Sequence, residues 1–192
     1  MKPNDWDVLC FESARLPISE PLLEPFFDKH AALRPPGARR SYWASYAIDE
    51  EELIVKDIEV ADARNLRTGR RSVLAEIIPA AEDRVVRWHS GLLLMPNGKA
   101  FLLMELRRGR VRGLRHYDAA KLEAFKQDQF DYFCMTDDYE ALRAAAQKEF
   151  ELKEQDARRK DAGRGYRAFD EKAFNEQVRS SILVYSKEIL AD

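Results

Sequence analysis

Cysteine is scarce in this chain of 192 residues: there are two, Cys10 and Cys134, far apart and in no C-x-x-C pair. That excludes a disulfide framework and a cysteine-built zinc site, and makes a reduced, cytoplasmic protein the expectation. Histidine is nearly as rare. His30, His89 and His116 form no H-x-H or H-E-x-x-H pattern, so no metal and no cofactor is expected. All eight prolines fall at or before Pro96, which assigns strands and irregular structure to the first half and helix to the second. Long apolar runs are missing too. None approaches the ~18 residues of a membrane span, and the N-terminus lacks a signal peptide's basic and apolar regions, so no membrane partner is expected.

What is present is a 45% hydrophobic, 34% charged composition. A chain of this size buries roughly 70% of the surface it exposes when unfolded, enough for a core without staples. The net charge of −2 hides an asymmetry: residues 1–63 carry −6, residues 64–116 carry +8 and residues 117–192 carry −4. Such segregation marks either a basic binding face or acidic elements neutralising a basic sheet within one fold, and the second is the plainer reading.

Residues 6–12 read as a strand, followed by a proline-punctuated stretch with a short helix between Pro21 and Leu33. Residues 42–48 and 53–60 flank an acidic turn and read as a hairpin. Arg64 to Arg71 reads as a basic loop, residues 72–78 as a strand, and residues 85–95 as a long strand bulged at Gly91. Asn97-Gly98 signals a type I′ turn into residues 100–106, and Arg107-Arg108-Gly109 turns the chain into residues 110–116. Beyond Asp118 the period changes to that of helices. One carries Leu122, Phe125 and Phe130; a second carries Tyr139, Leu142, Ala146 and Phe150 and ends in a polar run. After a break at Gly163–Gly165, a last helix sets Phe174, Val178, Ile182, Tyr185 and Ile189 on one stripe. The expected fold is α+β, an antiparallel β-meander of five to seven strands with C-terminal α-helices. Residues 1–135 are the sheet domain with a first helix, and residues 136–192 a helical hairpin packed on it or projecting.

Few residues suggest chemistry. Gly163-Arg164-Gly165-Tyr166-Arg167-Ala168 has the outline of a dinucleotide fingerprint but lacks the strand before it, so a helix–helix turn is the better reading. His89 cannot activate its neighbour Ser90 if both lie on a strand, because adjacent side chains face opposite sides. Large aromatics on strands are core by default, and Trp43 and Trp88 are expected in the core of one sheet. A partly open aromatic pocket using Trp43, Trp88, Arg87, His89 and Glu105 is the best ligand site on offer. Glu105 shares a strand face with Phe101 and Leu103, so it sits at a sheet end or pairs with Arg87 or Arg112. The densest positive charge is Arg107, Arg108, Arg110, Arg112 and Arg115, which could contact a nucleic-acid backbone. The pI of about 6.0 and the lack of any nucleic-acid-binding motif weigh against that partner.

Pro21-Leu22-x-x-x-Phe26-Phe27, Trp43-x-x-Tyr46, Leu53-x-x-x-Asp57-Ile58 and Trp88-His89-Ser90-Gly91-x-Leu93-x-x-Pro96-x-Gly98 together resemble a family of small bacterial cytosolic proteins of no established activity. In that family the second motif looks like Trp-Arg-Gly-Tyr and the fourth begins Trp-Phe-Ser-Gly; Ala44-Ser45 and His89 depart from the pattern. The resemblance spans residues 21–107 and implies no catalytic residues. The leading expectation is a non-enzymatic protein-binding or regulatory module, neutralising or escorting a protein partner. Behind it come nucleic-acid binding by the arginine hairpin and a small ligand-binding enzyme using the aromatic pocket. The terminal stripe, too apolar for water, is expected to close over the sheet or over a second copy in a homodimer.

Overall fold

In the computed structural model, which describes residues 7–37, 41–62, 64, 69–161 and 165–190, all strands precede residue 118 and helices dominate thereafter. The chain divides into two compact units, Met1–Ala119 and Ala120–Asp192. Residues 65–68 of the expected Arg64–Arg71 loop and residues 163–164 of the expected break lie outside the described residues, and Arg70 and Arg71 belong to a short strand and not to a loop. No helix among the described residues is long and apolar enough to cross a membrane.

The first unit is built on eight strands: β1 (Asp7–Phe11), β2 (Ala14–Ile18), β3 (Tyr42–Asp49), β4 (Glu52–Ala61), β5 (Arg70–Ser72), β6 (Gly91–Asn97), β7 (Ala100–Arg107) and β8 (Arg110–Tyr117). Its helices are short, α1 (Glu24–Lys29) and α2 (Leu74–Ile77), with 3₁₀ turns at Ala31–Leu33 and Ala81–Arg84. The α+β class holds, but the sheet is not a simple meander. Its order is β2-β1-β3-β4-β8-β7-β6 with β5 on β4, and β1 pairs with β3 in parallel. The end strands β2 and β6 approach each other, so the sheet is nearly closed into a barrel.

The closure rests on two hairpin tips. Glu50 and Glu51 at the β3–β4 turn and Arg108 and Gly109 at the β7–β8 turn all have positive φ, which lets both turns be tight. The tips join through Leu53 N–H to Gly109 O at 2.7 Å and Val111 N–H to Glu51 O at 2.8 Å. Val86 N–H donates to Leu53 O and Gly109 N–H to His89 O, so residues 85–89 form the third side of this junction. These bonds explain one departure from expectation: residues 85–90 are a turn, not the first half of a strand, and β6 begins at Gly91. Residues 74–77 are likewise a helical turn where a strand was expected. At the β6–β7 link only Gly98 has positive φ, as in a type II′ turn and not the expected type I′. The core is lined by Tyr42, Ala44 and Tyr46 of β3, Leu53, Val55 and Ile58 of β4, and Leu102, Met104 and Leu106 of β7.

In the second unit, α3 (Ala119–Phe133), α4 (Asp137–Lys160), α5 (Glu171–Ser180) and α6 (Ile182–Tyr185) follow in order. Thr136 caps α4 and Asp170 caps α5, each side-chain oxygen accepting from the backbone N–H three residues on. The terminal stripe is interrupted: α5 and α6 are separated at Ser181. Val178 and Ile182 are buried with Phe133, and Phe130, Tyr139, Leu142 and Phe174 pack around them. The end of α3, not reckoned with from sequence, supplies the cover that α4 alone could not.

Candidate functional site

The five residues expected to share one pocket do not gather. Trp43 is half-buried on the outer face of β3, its ring covered by the Arg70 guanidinium 3.7 Å from the centroid. Trp88 is half-buried in the turn before β6. Neither is a core residue of the sheet. Glu105 is half-buried on β7 between Leu92 and Gly113 and pairs with neither Arg87 nor Arg112. His89 is half-buried; its Nε2 has no hydrogen-bond partner among the described residues, and burial pushes its pKa down by disfavouring the charged ring. Only Arg87 and Trp88 come together.

They do so in a cleft of about 570 Å³ between α1 and α2, a volume suited to a small ligand or an anchoring side chain. Phe26 from α1 lies with its ring centroid 4.9 Å from Trp88 and 4.7 Å from His30. The Trp88 indole N–H donates to Leu22 O at 2.7 Å, which locks the ring in the wall and leaves no polar group to satisfy. Ile77, Ile78 and Pro79 form the facing apolar side. The rim carries two cations, Lys29 and Arg87, that form no ion pair among the described residues, and the carboxylate of Asp83. The cleft therefore joins a fixed aromatic wall to a rim on which two cations outnumber one carboxylate. Phe26, Lys29 and His30 escaped the sequence reading because they lie about sixty residues from Trp88; the one available signal was the Phe26-Phe27 pair beside a proline.

Behind the cleft, α1 is tied down by a buried carboxylate. Arg34 Nη1 donates to both Glu24 oxygens, at 3.0 and 2.8 Å, and the Tyr42 hydroxyl adds a third bond at 2.9 Å, while Arg34 Nη2 reaches Asp28. Burial, and then the Glu24 carboxylate, raise the Tyr42 pKa far above its ordinary value, so this phenol stays protonated as a donor. Satisfied on every side, the triad acts as a structural clamp.

The arginine hairpin offers no single face. Arg107, Arg108, Arg110 and Arg112 are exposed, while Arg115 and Tyr117 lie on the other, half-buried side of β8. Arg110 is held by Glu51 at 3.1 Å. Among the described residues no group of three or more potential metal ligands occurs. Comparison with known protein families, with curated proteins and with solved structures returned no significant match.

Proposed function

We propose that this protein is a non-catalytic binding module that captures a protein partner at the Phe26/His30/Trp88 cleft, by an apolar or aromatic side chain flanked by Asp or Glu. The observation that carries this reading is the pairing of a locked aromatic wall with two unpaired cations at its rim. An aromatic anchor inserted beside a newly formed charge pair is the combination that concentrates binding energy in a few residues. Asp83 orients the partner, since a second carboxylate at that end of the cleft is repelled. A partner gripped so is neutralised or escorted without any chemical step.

The test uses fluorescein-labelled peptides in which one Trp, Phe or Leu is flanked by Glu, followed by anisotropy. Saturable binding is expected, weakened at least about tenfold by the double variant Lys29→Glu, Arg87→Glu, since each lost charged contact is worth roughly 1.5–3 kcal/mol. Both side chains are exposed, so the melting temperature of that variant should match the wild type. Peptides with Lys in place of Glu that bind equally well would sink the proposal.

A further inference from the structure

On the outer face of β1–β5 a second concavity, of about 450 Å³, collects Arg15, Trp43, Lys56, Asp57, Glu59 and Arg70. A β-bulge builds it. Ser45 pairs with Asp57 and Tyr46 with Val55, so Lys56 has no partner on β3. In a regular strand Lys56 and Asp57 would face opposite sides. Here Val55 and Ile58 both point into the core at 0% exposure, and the two residues between them face outward together. Bulges re-aim side chains in this way beside functional sites.

Each group in the groove asks for a different part of a ligand. Arg15 and Lys56 form no ion pair among the described residues and call for an anion. Arg70, 3.7 Å from Glu59, sits over the Trp43 ring with its guanidinium carbon 3.7 Å from the centroid, a cation–π pair that offers a stacking surface. Asp57 is held by Ser72 Oγ at 2.6 Å and Ile58 N–H at 2.8 Å through one oxygen, which leaves its second oxygen to accept a ligand donor. Such polar lining rejects an acyl chain. With Glu59 paired to Arg70, Arg15 and Lys56 outnumber Asp57, so the groove suits a single phosphate monoester, of charge roughly −1.5 to −2.

We propose that this groove binds a nucleoside monophosphate, with the phosphate between Arg15 and Lys56, the base on the Trp43–Arg70 stack, and ribose hydroxyls on Asp57 and Glu59. Calorimetric titration of the full chain with AMP, adenosine and inorganic phosphate tests it. AMP is expected to bind at least about tenfold more tightly than either fragment, because charged and stacking contacts are then made together. Arg15→Ala with Lys56→Ala should weaken AMP about tenfold or more while leaving the melting temperature unchanged, since both side chains are exposed. Trp43→Leu should lower AMP affinity without changing that for phosphate. The Lys29→Glu, Arg87→Glu variant, altered in the other cleft, should bind AMP normally. No heat with millimolar AMP, AMP binding no tighter than phosphate, or affinity indifferent to Arg15 and Lys56 would each overturn the assignment.

Discussion

A methyl group at position 109 has nowhere to go. A Cβ there would sit 2.8 Å from both the carbonyl carbon and the oxygen of Val86, and φ is +77°. The junction between the two hairpin tips thus depends on a glycine for space as well as for conformation. Gly98 separates the two requirements: its φ is +63°, but nothing lies within 4 Å of an added Cβ. Gly98→Ala should therefore cost about 1 kcal/mol, the strain of a left-handed residue alone. Gly109→Ala should cost about 3 kcal/mol, because it adds overpacking against backbone. Urea midpoints of the two variants measure the difference, and equal midpoints would show that the tips do not bear on residues 85–89. At this scale the bulge at Lys56 was not read from the sequence, where Ile54 beside Val55 blurs the alternation and residues 53–60 pass for a regular strand. In the fold Leu53, Val55 and Ile58 are inward-facing at spacings of two and then three, the break in alternation that a bulge makes.

Among the elements, α3 binds residues 186–190 through one amide, alongside the packing of Leu190. Gln129 is fully buried; its NH₂ donates to Ser186 Oγ and to Glu188 O, each at 2.6 Å, and its oxygen accepts from Leu190 N–H at 2.9 Å. Gln129→Leu would leave the Leu190 N–H without its acceptor, at about 1–3 kcal/mol, while Ser186 Oγ still donates to Glu188 O at 2.8 Å. The expected outcome is release of residues 186–190, seen as rapid proteolytic trimming after Tyr185 while α3 and α4 survive. Protection equal to wild type would mean that Leu183 and Leu190 hold the segment by packing alone. Elements were read from sequence with uneven success, for physical reasons. The hairpin of β3 and β4 was legible because β-branched and aromatic runs flank a short acidic turn. Residues 72–78 were not, since a short apolar run serves a buried helical turn as well as a strand. Residues 85–90 carry strand-like side chains, yet their backbone groups are claimed by Leu53 and Gly109 from other parts of the chain.

At the scale of the molecule the two units are secured differently. The first has a continuous core running through β1–β4, α1, α2, β6 and β7, whereas α4 buries a single residue, Glu154. Local opening follows local burial. In hydrogen exchange, amides of β4 and β7 should outlast those of the C-terminal half of α4 by orders of magnitude; uniform protection across both would refute the contrast. The same scale explains what the sequence concealed of the site. Arg87 and Trp88 were singled out because charge beside tryptophan is a local signal. Their companions Phe26, Lys29 and His30 are brought in by the Glu24 clamp and the Trp88–Leu22 hydrogen bond, long-range features that leave no periodic trace. Near-closure of the sheet has one more consequence. With β2 and β6 turned toward each other, one exposed edge among the described strands is β5, three residues long and bearing Arg70 and Arg71. An extended segment from another molecule finds there too few free amides to template on, and two arginines besides, so this edge is guarded against cross-β growth by its brevity and its charge.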